Sequence, residues 1–105
     1  MLPLEGVRVV DLTNFLPGPF CSMILSDFGA EVIKVERPPK GDPARYQGGM
    51  FASAGRNKKS VALDLKSDGG KEALRKLVLD CDVLMEGFRP GVLDRLGFGW
   101  EAVRA

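Results

Sequence analysis

Residues 7–37 read VRVVDLT, NFLPGPFCSMILSDFGA and EVIKVER in succession. The first piece is an apolar strand, residues 7–12, with Asp11 near its carboxyl end. The second holds a helix over residues 19–28. Proline suits the first helical position, where its missing N–H would be unpaired anyway, and Gly29 provides the left-handed cap. Phe20, Met23, Ile24 and Phe28 recur at helical spacing and mark the expected buried face. The third piece, residues 31–36, is again a strand. Strand, helix, strand is the signature of a βαβ crossover, so the chain opens an α/β domain with a parallel sheet. Ligands of such sheets bind beyond the carboxyl ends of the strands, which directs attention to residues 11–19 and 36–45.

The pattern continues outward from this unit. Pro38 and Pro39 stop the second strand, and a long loop without a sustained period follows. Residues 60–65 form the third strand, with Val61, Leu63 and Leu65 alternating. Ser67 or Asp68 caps a helix over residues 69–80, with Leu74, Leu77 and Val78 on its buried face. A fourth strand covers residues 82–86, a short helix residues 92–96, and a last helix begins near Trp100. That helix has no closing cap at Ala105, which fits a chain cut within a larger protein. The expected core is Val9, Val10, Phe20, Ile24, Ile33, Val35, Leu63, Leu74, Leu77, Val83 and Leu84.

The 105 residues suffice for one small domain. No apolar run approaches the roughly 18 residues of a membrane helix, and residues 1–6 lack the basic start and apolar core of a signal peptide. Cys21 and Cys81 stand apart and in no paired motif, the usage of free thiols in a cytoplasmic protein. The chain has no histidine, so the commonest neutral-pH acid/base and zinc ligand is missing, and no metal site is expected.

Charge is uneven. Residues 1–33 carry one cation and four acids, residues 34–66 eight cations and three acids, and residues 67–105 six cations and seven acids. The basic middle block fits a polyanionic small molecule, and the acidic flanks argue against a nucleic-acid duplex. A dinucleotide turn needs G-x-G-x-x-G, because backbone N–H groups must touch the pyrophosphate. This chain has Pro17-Gly18-Pro19-Phe20 there, with two donors missing and a bulky ring in the way. Side-chain cations remain: Arg37 after the second strand, Lys66 after the third, Arg89 after the fourth and Arg95 a turn further on. Converging arginines grip phosphates through short bidentate contacts. Each could instead pair with a neighbouring acid such as Glu36, Glu86 or Asp94.

The order GVRVVDLTNFLPGPFCSMILSDFGAEVIKVERPPKGDPAR, NKKSVALDLKSDGGKEAL and DVLMEGFRPGVLDRLGFGW resembles the N-terminal segment of CoA-transferase family III. That family includes formyl-CoA and carnitine CoA-transferases and alpha-methylacyl-CoA racemase. The resemblance implies the N-terminal portion of a large, CoA-binding domain with a Rossmann-like parallel sheet and flanking helices. It also implies a homodimer of interlocked full-length subunits. By position it makes Arg37, Lys66 and Arg95 cationic contacts to CoA. It adds Leu63 as an adenine wall, and Phe88, Arg89 and Leu96 as further contacts. Coenzyme A or acyl-CoA is then the substrate, with a small carboxylic acid as second substrate and no permanently bound cofactor.

The transferases of the family work through an aspartyl-CoA thioester, and the racemases through a histidine–aspartate proton-transfer pair. Both sets lie beyond this segment, so no catalytic residue is expected in the chain. EGFRPGVLDRLGFG and LKSDGG read racemase-like. The long loop with its complete GD-x-x-R reads transferase-like, and that reading is preferred. A CoA-binding module without chemistry is the third possibility.

Overall fold

The computed structural model describes residues 2–46 and 49–104. Its strands are β1 Arg8–Asp11, β2 Glu31–Glu36, β3 Lys58–Ala62 and β4 Val83–Met85. They form one parallel sheet in the order β3-β2-β1-β4, with Val10 opposite Ile33 on one side and Leu84 on the other. The helices are α1 Pro17–Asp27, α2 Met50–Ala54, α3 Asp68–Leu79, α4 Val92–Arg95 and α5 Trp100–Arg104. The long connection between β2 and β3 is more ordered than its sequence indicates, since it holds α2 and a 3-10 helix at Pro43–Tyr46. Arg45 organises it: its guanidinium is bidentate to Glu36 at 2.7 Å and lies 3.9 Å over the Phe51 ring.

Successive residues of a strand face opposite sides of the sheet, and the core divides accordingly. Val10, Leu12 and Val35 pack with Leu74 of α3 and with Phe98 on one face; Val9, Ala30 and Val32 pack with Leu25 of α1 on the other. Ser67 caps α3, its hydroxyl accepting from Gly70 N–H at 3.0 Å. Cys21 and Cys81 are free thiols. No helix among the described residues is long and apolar enough to cross a membrane.

The rotation of α1 corrects the sequence reading. Its buried residues are Pro19, Ser22, Met23 and Ser26, whereas Phe20 (50%), Ile24 (39%) and Phe28 (50%) are exposed. The cause is polar. Ser22 donates to the buried Asp11 carboxylate at 2.5 Å, which turns the small, hydroxyl-bearing face of the helix to the sheet. Phe20 and Ile24 therefore leave the expected core, and Val83 leaves it because β4 is an edge strand. Gly18 makes the close approach possible, because a methyl group there would overlap the Thr13 side chain. Gly29 ends the α1 connection at φ +106°, a conformation that glycine adopts at no steric cost.

Candidate functional site

A cleft of about 280 Å³ opens beyond the carboxyl ends of β1, β2 and β3, just below the roughly 300–1,000 Å³ typical of ligand sites. Leu12 and Asn14 reach it from β1, Val35, Glu36, Arg37 and Pro38 from β2, and Leu63, Asp64, Leu65 and Lys66 from β3. The segment after β4 turns back across the sheet ends and adds Phe88, Val92 and Leu96. The walls are thus mostly apolar, with two cations, the carboxylates of Glu36 and Asp64 and the Asn14 amide among them.

The ion pairs decide which cations are available. Of the eight in residues 34–66, Lys34 pairs with Asp42, Arg45 with Glu36, Arg56 with Asp27, Lys58 with Asp11 and Lys59 with Glu31. Arg37, Lys40 and Lys66 have no ion-pair partner among the described residues, and Arg37 and Lys66 both line the cleft. The alternative that Arg37 merely neutralises Glu36 fails, because both Glu36 oxygens are taken. Asp42 N–H and Arg45 donate to Oε1, and Arg45 and the Ser60 hydroxyl to Oε2. The same saturation leaves Glu36 no oxygen to offer a ribose.

Of the residues expected from sequence, Arg37, Leu63, Lys66, Phe88 and Leu96 therefore share this cleft. Arg89 lines a neighbouring depression with Glu86 and Asp94, on the other side of Phe88. Arg95 is exposed on α4 and lines neither cavity. Asn14 joins them without belonging to any motif, and falls in the strand-end segment that the βαβ pattern marks.

Four positions of the turn after β1 have no amide to give a phosphate. Phe15 N–H donates to Asp42 Oδ1 at 3.0 Å, Phe20 N–H to Leu16 C=O at 2.7 Å, and Pro17 and Pro19 have no N–H. Its carbonyls face inward as well: Lys34 Nζ donates to Thr13 C=O and Lys58 Nζ to Pro19 C=O, both at 3.0 Å. Burial alone would raise the Asp11 carboxyl, but hydrogen bonds from Ser22 and Thr13, with the Lys34 charge, hold it below its ordinary range. Lys58 titrates below an ordinary lysine because burial outweighs its attraction to Asp11.

Arg45 is the main cause holding the Glu36 carboxyl down at about 2, against the opposing effect of burial; Asp42 N–H and Ser60 assist. A depressed carboxyl stabilises the fold above its unfolded value, and that contribution is lost as pH falls through the folded one. The urea midpoint of the full-length protein accordingly drops as pH falls from the ordinary value of 4.5 towards about 2. In Glu36→Gln that decline is shallower, and an unchanged pH profile would remove Glu36 as its source.

The family model of CoA-transferase family III matches residues 4–105. The chain belongs to CoA-transferase family III. Members similar to it include a formyl-CoA:oxalate CoA-transferase of Bradyrhizobium sp., 49% identical over 97% of this chain. A succinyl-CoA–D-citramalate CoA-transferase of Chloroflexus aurantiacus is 48% identical over 98% of the chain. The chain spans about a quarter of these curated relatives, 26% and 28% of their lengths. Among solved structures, Rv3272 of Mycobacterium tuberculosis superposes with a TM-score of 0.93 at 43% identity, covering 99% of this chain and 29% of that one. A CAIB/BAIF family protein of Brucella suis does so with a TM-score of 0.94 at 36% identity, over 98% and 30%. The parallel sheet and flanking helices of this chain are thus those of the CoA-transferase family III fold.

Proposed function

We propose that this segment forms the nucleotide side of the coenzyme A site in an acyl-CoA:carboxylate CoA-transferase. The observation that carries the reading is the pair of cations without an ion-pair partner among the described residues, Arg37 and Lys66, in a mostly apolar strand-end cleft. Adenine is flat and apolar-faced, and suits the walls of Leu63, Phe88 and Leu96; the phosphates of CoA suit the two cations. Arg89 and Arg95 stand outside the cleft and contribute to this reading only as longer-range positive charge.

The transferase reading is supported by the names of the similar relatives, which exchange CoA between small carboxylic acids. In that chemistry an aspartate outside this chain attacks the acyl-CoA carbonyl and releases CoA thiolate. The thiolate then attacks the aspartyl carbonyl of the mixed anhydride and frees the first carboxylate. The product is an aspartyl-CoA thioester, ready for the second acid. The full-length protein acts as a cytoplasmic homodimer in this reading.

Calorimetry on the full-length protein tests the site. CoA binds, and dephospho-CoA, which lacks the 3′-phosphate, binds more weakly; no heat from either sinks the proposal. Intact-mass spectrometry after incubation with acyl-CoA tests the chemistry, with a covalent CoA adduct expected. Loss of the α-hydrogen to deuterated solvent without any adduct would point to racemase chemistry instead.

A further inference from the structure

Four polar groups around Asn14 form a closed ring. Lys34 Nζ, on β2, donates to Thr13 C=O at 3.0 Å and pairs with Asp42 Oδ2 at 2.7 Å. Asp42 Oδ1 accepts from Phe15 N–H at 3.0 Å and from Ala44 N–H at 2.9 Å. The two peptides flanking Asn14 are therefore held by one ion pair, and both of its side chains are 1% exposed. Phe15 sits at φ +65°, a left-handed conformation that is rare for a bulky residue. Such backbone persists only where the surroundings over-determine it, and it clusters at ligand clamps.

Asn14 itself escapes the ring. Its side chain is exposed, lines the cleft, and makes no hydrogen bond among the described residues. Its amide offers two donors and an acceptor. Thr13 C=O and Phe15 N–H on either side of it are committed to the interior, so its side-chain amide is an uncommitted polar group that the turn presents to the cleft. The ring also joins the turn after β1 to the loop after β2. It thereby sets the spacing between Asn14 on one wall of the cleft and Arg37 on another.

We propose that Lys34 and Asp42 are positioning residues that hold Asn14 as a ligand-contacting side chain of the cleft. The proposal rests on the CoA reading of that cleft for the identity of the ligand. A simple packing role for the pair would affect stability and leave affinity alone, whereas a positioning role affects both.

The test is made on the full-length protein with CoA as the probe. Asn14→Ala, an exposed change that spares the fold, raises the Kd for CoA about fivefold, the size of one neutral hydrogen bond. Asp42→Asn keeps the shape but loses the charge that holds Lys34, and raises Kd to a similar extent. The double variant binds no worse than the weaker single one, since both act through the same contact. Singles that multiply in the double, or an Asp42→Asn that lowers the melting temperature without changing Kd, overturn the proposal.

Hydrogen exchange provides the second arm. The Phe15 amide exchanges about tenfold faster in Asp42→Asn, in keeping with about 1.4 kcal/mol lost from the ring. Unchanged protection overturns the ring whatever CoA does. A wild-type protein that gives no heat with CoA refutes the CoA reading, and Asn14's contact with it, while the amide result still decides whether Lys34 and Asp42 hold the turn.

Discussion

Arg37→Ala in the full-length protein raises the Kd for CoA by about 10- to 100-fold, the range of one charge-assisted hydrogen bond or pair. Stability stays within about 0.5 kcal/mol, as for an exposed side chain with no folded partner. Glu36, its neighbour in sequence, is saturated by Arg45, Ser60 and Asp42 N–H, and Arg37 has no ion pair among the described residues. Truncation therefore removes positive charge from the cleft and leaves no carboxylate stranded. Titration calorimetry gives the affinity and urea unfolding the stability. A fall in stability matching the loss of affinity would make Arg37 a structural residue.

Asp11→Leu is the opposite case, with a loss of about 3–5 kcal/mol in unfolding free energy, because it strands a buried charge. Asp11 is fully buried and accepts from Thr13 N–H at 2.8 Å, from the Thr13 hydroxyl and from Ser22 at 2.5 Å. Lys58, with its side chain 2% exposed, has Asp11 Oδ2 at 3.4 Å and Pro19 C=O at 3.0 Å as partners. Without the carboxylate, Lys58 is a buried cation held by one carbonyl, and Thr13 and Ser22 lose an acceptor. Replacing both charges, Asp11→Leu with Lys58→Met, recovers a large part of the loss, since well-packed apolar pairs commonly match buried ion pairs. Urea unfolding of the three variants checks this. A double variant no better than Asp11→Leu would assign the cost to Thr13 and Ser22.

The contrast between these residues marks where sequence reading succeeds. β2 has the expected bounds because EVIKVE is flanked by Gly29-Ala30 and by Pro38-Pro39, which leave it little room to shift. The ends of α1 and α3 move by only one or two residues, since Pro17, Pro19 and Ser67 are local signals. Rotation of α1 was not local. It depends on Ser22 meeting Asp11, 11 positions earlier, and helical spacing of Phe20, Ile24 and Phe28 carries no record of that contact.

The cations show the same limit. Arg37 and Lys66 could be placed at the cleft from the strand ends alone. Lys34 and Lys58 read as part of one basic block, yet they are buried against acids that a periodicity cannot supply, Lys58 meeting Asp11 across 47 positions. Arg95 follows the expected segment but is carried away from the cleft by the turn of α4. Asn14 carries no signal of its own in the sequence: its place on the cleft wall is set by Lys34 and Asp42, 20 and 28 positions later, which hold the peptides on either side of it.

The return of the chain over the strand ends after β4 has a thermodynamic consequence. The cleft draws on residues from Leu12 to Leu96, so a molecule lodged in it touches both the beginning and the end of the described fold. None of its parts forms a site until all four strands are in place. Ligand then acts as a removable cross-link, absent from the unfolded chain and present only when both ends have met. At a concentration of 100 times Kd such a clasp adds about 2.7 kcal/mol to the folded state. Occupancy would in this way set how long the folded state survives.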